Sequence, residues 1–183
     1  MKNTIKNILK NLGYKLIKTE DPNIVFPDLS INNKKIYSGI SDYTMTGLLR
    51  IDALISSIDY IIKNNIEGSI VECGVWRGGS TMAAATRLDQ LLNYDKDLYF
   101  YDTFEGMVKP TEKDFSIDST DASIKFENLK NDDNSSDWCY ANLDEVIKNI
   151  KKINYPFEKF HFIKGKVEDT IPNTIPDKIS MLR

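Results

Sequence analysis

The stretch from Ser69 to Asp102 constrains the fold of this chain more than any other. Ile70-Val71 with Cys73 reads as a short buried strand, and Gly74, Gly78 and Gly79 punctuate the turn after it. A helix follows to about Leu92, with Ser80 or Thr81 placed to cap its start. Its Ala83-Ala84-Ala85 run permits close approach of helix to sheet. Leu98–Tyr101 is a second strand and ends on Asp102. The alternation then continues. Leu143, Val146, Ile147 and Ile150 mark a core helix over roughly 137–153, His161-Phe162-Ile163 a third strand, and Ile179–Leu182 the start of a fourth. Strands alternating with helices in this way predict an open parallel sheet covered by helices, an α/β fold.

The flanking segments are less regular. Residues 1–18 hold five lysines and no acid, with Ile5, Ile8, Leu9 and Leu12 at amphipathic helical spacing. A weak contact with an anionic membrane surface and packing on the chain's own domain or a partner are the two readings of such a helix. Residues 20–41, with Pro22, Pro27, Gly39 and Asn32-Asn33, read as a loop containing a short extended piece at 24–26. From Asp42 the pattern changes. Leu48, Ile51, Leu54, Ile55, Ile58, Ile61 and Ile62 form one apolar stripe, so a long helix with one buried face is expected, ending at Asn64-Asn65. The expected division is therefore 1–41, a basic amphipathic helix and loop, and 42–183, the start of the α/β domain. Residues 105–137, with nine acids against four lysines, form a lid-like insertion within it.

Composition excludes several classes. Of 183 residues 41% are apolar and 28% charged, an ordinary balance with enough apolar surface for a core. The net charge of −3 gives no basic footprint for nucleic acid. No apolar run approaches the roughly 18 residues of a membrane span. The two cysteines, Cys73 and Cys139, form no C-x-x-C pair, which argues against a disulfide scaffold or zinc module and fits a reducing, cytoplasmic location.

In an open parallel sheet the ligand binds beyond the carboxyl ends of the strands. The first strand ends Glu72-Cys73-Gly74-Val75-Trp76-Arg77-Gly78-Gly79-Ser80. Its glycines let backbone amides approach a ligand, but their spacing is neither the dinucleotide fingerprint nor a phosphate-binding P-loop. A nucleoside without a pyrophosphate fits better, and S-adenosylmethionine is one. Its carboxylate can use free turn amides, and an acid can face its ammonium. Asp102, at the tip of the second strand, sits where Rossmann-type folds bond the ribose hydroxyls.

These blocks, VECGVWRGGS, YDTFEGM, WCYANLDEV and HFIKGKVEDTIP, resemble the macrocin O-methyltransferase (TylF-type) family from about Tyr43 to Arg183. The resemblance implies a Rossmann-like class I methyltransferase fold, a parallel sheet with helices on both faces, here incomplete with about four of the seven strands present. It implies an S-adenosylmethionine- and Mg²⁺-dependent enzyme that methylates a hydroxyl of a small sugar or glycosylated metabolite. Carried over residue by residue, Glu72, Gly74, Val75, Arg77, Gly78, Gly79 and Ser80 line the methionine end. Asp102 takes the ribose, with Thr103 and Phe104 beside it. The Gly165–Asp169 turn, with Val167 and Glu168, borders the adenine. Tyr43–Gly47 helps roof the pocket, and 105–137 is its mobile cover.

The family's metal carboxylates and base are expected beyond Arg183, so no catalytic residue or metal ligand is assigned within 1–183. Two other readings compete: a catalytically incomplete remnant that binds the cofactor without turnover, and a nicotinamide-dependent oxidoreductase, which the missing dinucleotide fingerprint disfavours. Strand four would be left as an apolar edge, an invitation to form a homo-oligomer. His161, Cys73 and Cys139 read as structural, and Trp76 as either a ligand-stacking or an edge-covering residue.

Overall fold

A computed structural model describes residues 9, 12–14, 25–114, 122–131 and 135–183. Apart from residues 9 and 12, the basic helix expected over Ile5–Leu12 lies outside the described residues, as do the acids of 115–121 and 132–134.

The elements run α1 (Ile31–Ile40), a 3₁₀ turn (Ser41–Tyr43), α2 (Leu48–Lys63), β1 (Ser69–Cys73), α3 (Gly79–Gln90), β2 (Leu98–Asp102), α4 (Ala122–Leu129), α5 (Leu143–Ile150), β3 (Phe160–Lys164), α6 (Val167–Thr174) and β4 (Ile179–Leu182). The four strands form one parallel sheet in the order β3-β2-β1-β4. Ile70 lies beside Leu98 and Leu98 beside Phe160, so one face of the sheet carries a continuous apolar row. That row packs on α2 and α3 through Ile51, Ile55, Ile58, Ala84 and Leu88. Alternation sends Tyr101 to the opposite face, where its hydroxyl donates to the Thr174 carbonyl of α6 at 2.6 Å. Helices therefore cover both faces. Among the described residues no helix is long and apolar enough to cross a membrane.

Three expectations are corrected. Residues 31–40 are helix α1, not loop. Ser30 caps it by accepting from the Asn33 amide at 3.0 Å, and Ile36 and Ile40, one turn apart, enter the core. The pattern was obscured because only this short apolar pair is buried, with Gly39 and two asparagines around it. The helix expected over 137–153 is shorter, Leu143–Ile150. Asn142 caps it through the Glu145 amide at 2.8 Å, and the residues before it pair with 105–107 instead. Neither Ser80 nor Thr81 caps α3. Gly78 stands at that position in the left-handed region (φ +88°), while Ser80 and Thr81 are buried within the helix. The acidic insertion also holds structure of its own: α4 buries Phe126.

Candidate functional site

Strand tips and two turns build a groove at the carboxyl edge of the sheet. The Asp102 carboxylate organises it. Its Oδ2 accepts from the Val75 amide at 2.6 Å and the Trp76 amide at 3.2 Å, and its Oδ1 from the Phe104 amide at 2.8 Å. Trp76 (φ +50°) and Phe104 (φ +54°) sit in the left-handed region, which costs a bulky residue about 1–2 kcal/mol, and the amide bonds to Asp102 offset that cost. The Asp102 carbonyl accepts from the Gly165 amide at 3.0 Å, and the Tyr101 carbonyl from the Gly74 amide at 2.9 Å. The tips of β1, β2 and β3 are thus tied to one another.

The roof is a clip between residues 105–107 and 136–138. Met107 donates its amide to Trp138 O at 2.9 Å, the Ser136 amide donates to Glu105 O at 3.3 Å, and the Ser136 hydroxyl donates to Met107 O at 2.8 Å. At its centre Gly106 has φ +81°, and a Cβ there would lie 1.9 Å from the Ser136 carbonyl oxygen.

Between roof and strand tips lies a cavity of about 420 Å³. Of the sequence-predicted residues, Gly74, Asp102, Thr103, Val167 and Glu168 are on its wall. Gly74 has φ +84° and open space where a Cβ would project, so its backbone is bare to the cavity. A second cavity of about 460 Å³ adjoins it, sharing Met45, Trp76 and Cys139 and extending to Arg77, Trp138 and Tyr140. The Arg77 Nε lies 2.5 Å from Glu145, and its guanidinium stacks over Trp76.

The remaining predicted residues stand behind these walls. Val75 and Phe104 are buried and contribute main-chain amides to Asp102. Gly78 and Gly79 serve packing in this structure. A Cβ on Gly78 would meet Ile150 at 3.3 Å, and one on Gly79 would lie 2.5 Å from the Tyr43 carbonyl oxygen. Glu72 is buried, accepts from the Thr81 hydroxyl at 2.5 Å and pairs with Arg183. Sequence reasoning had considered Thr81 as a cap alone, and no spacing rule links Glu72 to a residue nine positions on or to Arg183. It also missed Met107 and Tyr101, whose place on the cavity wall depends on the roof and on helix α6. His161 is remote from the groove, stacked on Tyr99 and 2.8 Å from Asp97 at the start of β2.

Burial pushes the Glu72 carboxyl above the usual range, against the opposing pull of Thr81, Arg183 and Ser80. A carboxyl raised in the folded state contributes stability that is complete at acid pH and is lost as pH rises through its folded range. Glu72→Gln should therefore flatten the decline of stability above the ordinary glutamate range, read from urea midpoints across pH. A variant with the wild-type slope would show that Glu72 is not the titrating group.

Among the described residues no three His, Cys, Asp or Glu side chains are gathered as a metal site.

A parallel sheet with its groove across a glycine turn and an acidic second-strand tip is a Rossmann-like arrangement, and the match to a solved methyltransferase makes it the class I methyltransferase fold. The solved O-methyltransferase NovP shares it, with a TM-score of 0.62 and 26% identity over 77% of this chain and 55% of that one. The model of the macrocin-O-methyltransferase (TylF) family matches residues 35–183, and the chain belongs to that family. Its curated relatives include demethyldecarbamoylnovobiocin O-methyltransferase of Streptomyces niveus, 26% identical over 77% of this chain and 50% of the relative. Mycinamicin III 3''-O-methyltransferase of Micromonospora griseorubida is also 26% identical, over 77% of this chain and 53% of the relative. The chain spans about half the length of these two relatives.

Proposed function

We propose that the groove binds S-adenosylmethionine and serves an O-methyltransferase whose acceptor is a hydroxyl of a sugar or glycosylated metabolite. The observation that carries this reading is the Gly74 turn. Its bare backbone faces a cavity also lined by the β2 tip and by Val167 and Glu168, which begin helix α6 rather than a turn, in a chain of a methyltransferase family. The residues fit the cofactor in kind. The glycine turn admits a close ligand, and Asp102 supplies acceptor capacity at the ribose position. Val167 and Glu168 border the space left for a base.

The cofactor supplies an electrophilic methyl group when bound. This chain's residues hold and orient it, and the roof clip limits water at the strand tips. The adjoining cavity is the acceptor's place in this reading. Trp76, Trp138 and Tyr140 offer ring faces for the apolar side of a sugar, and it opens to the groove at Met45. The acceptors named for the relatives, demethyldecarbamoylnovobiocin and mycinamicin III, support this substrate class.

Isothermal titration with S-adenosylmethionine and S-adenosylhomocysteine tests the reading. One-to-one binding that NAD does not displace is expected, and no heat at millimolar ligand would sink it. Gly74→Ala should weaken binding about tenfold by placing a methyl in the open space, at a stability cost of about 1 kcal/mol for the positive φ. Wild-type affinity in this variant would place the ligand away from the turn.

A further inference from the structure

Glu72 is the residue that an acid-facing-ammonium reading would put on the ligand, yet both its oxygens are engaged within the protein. Oε2 takes the Thr81 hydroxyl and Oε1 takes Arg183 Nη1. The Arg183 backbone is fixed in the sheet, donating to Val71 O at 2.9 Å and accepting from the Cys73 amide at 2.9 Å. Its second terminal nitrogen, Nη2, reaches out of the core and donates to Thr46 Oγ1 at 2.9 Å.

Thr46 follows Met45, which lines both cavities and brings its Sδ within 3.9 Å of Cys139 Sγ in the roof. The other side of this segment is also held. Arg77 Nη1 donates to Asp42 O at 3.2 Å, Lys152 Nζ donates to the Tyr43 hydroxyl at 2.8 Å, and Gly79 packs against Tyr43 O. Thr46 ties the remaining end through Arg183. A carboxylate–guanidinium pair of which only the carboxylate is buried is weak evidence for stability, since an apolar pair of similar volume often serves as well. Its planar fork can nevertheless bond two partners at once, which an apolar pair cannot.

We infer that Arg183 is a positioning residue: anchored on Glu72, it docks Thr46 and so sets Met45 across the junction of the two cavities. Glu72 then acts through Arg183 rather than on the ligand.

The test uses the full chain with ¹³C-labelled methionine methyl groups. Met45 reports the docked segment, and Met82, fully buried in α3, reports the core. Thr46→Val removes the outer bond alone, and Arg183→Met with Glu72→Gln removes both charges together, so that no lone charge is left buried. In both variants the Met45 resonance should move toward the position of free methionine while Met82 stays. Arg183→Lys, a point charge that can hold Glu72 but not both partners, should leave Met82 in place and still shift Met45. An unmoved Met45, or a Met82 shift of equal size, would overturn the inference; the latter would assign the pair a plain stability role.

The affinity arm rests on the proposed cofactor site. There S-adenosylhomocysteine should bind about tenfold more weakly in Thr46→Val, the scale of one charge-assisted hydrogen bond. Unchanged affinity alongside a moved Met45 would confine the role to the acceptor side and overturn the part concerning the cofactor groove. A wild-type chain that bound no ligand would sink the proposed function, while the methyl resonances would still decide the clamp.

Discussion

Gly106→Ala should lower folding stability by about 3–5 kcal/mol and abolish saturable binding of S-adenosylhomocysteine. Gly106 combines two constraints that are usually met separately. Its φ of +81° penalises any L side chain, by about 1–2 kcal/mol. A methyl there would also stand 1.9 Å from the Ser136 carbonyl oxygen and 3.1 Å from that of Trp138. Both obstacles are backbone, so no rotamer change relieves them. Relief requires separating 105–107 from 136–138, which breaks the bonds from the Met107 amide to Trp138 O and from the Ser136 amide to Glu105 O. Each such bond contributes about 1 kcal/mol. With the clip open, Met107 and Cys139 leave the cavity wall and the roof is lost, while the sheet keeps its own ladder. Urea unfolding and titration on one sample check this. A wild-type midpoint with wild-type affinity would show that the two segments do not pair.

Asp102→Ala is the second large effect, with about 3–4 kcal/mol lost from stability and at least about a hundredfold from cofactor affinity. The side chain accepts three main-chain amides, those of Val75, Trp76 and Phe104. A carboxylate offers about four acceptor directions, so these three bonds leave one for a ribose hydroxyl. Removing the carboxylate strands the three amides and releases two left-handed residues that it holds. It also takes away the acceptor proposed for the ligand. Asp102→Glu separates the parts: it keeps the charge, but its longer arm cannot brace the same turns. Equal losses in both variants would assign the effect to the brace. Full stability with weakened binding in the alanine variant would assign Asp102 to the ligand alone.

Part of this was legible in the sequence. The α2 stripe from Leu48 to Ile61, the strands at Ile70, Leu98, His161 and Ile179, and the placing of Asp102 at a strand tip all follow from periodicity and punctuation. Helix α1 was hidden because two buried isoleucines are too few to fix a period. The cap of α3 was misread for a different reason. Gly78 reached the left-handed region and left Ser80 and Thr81 free to turn inward, a choice that depends on the buried acid beside them.

The sequence by itself determined the order of the strands, the parallel sheet and the glycine-and-acid edge, because these depend on neighbours within a few residues along the chain. Tertiary structure decided what each site residue does. Asp102 binds amides 26 and 27 residues before it, Gly106 fits only against a carbonyl 30 residues later, and Glu72 meets an arginine 111 residues away. A hydrogen-bond partner or a steric limit belongs to whatever the fold brings within about 3 Å, and no local pattern encodes that.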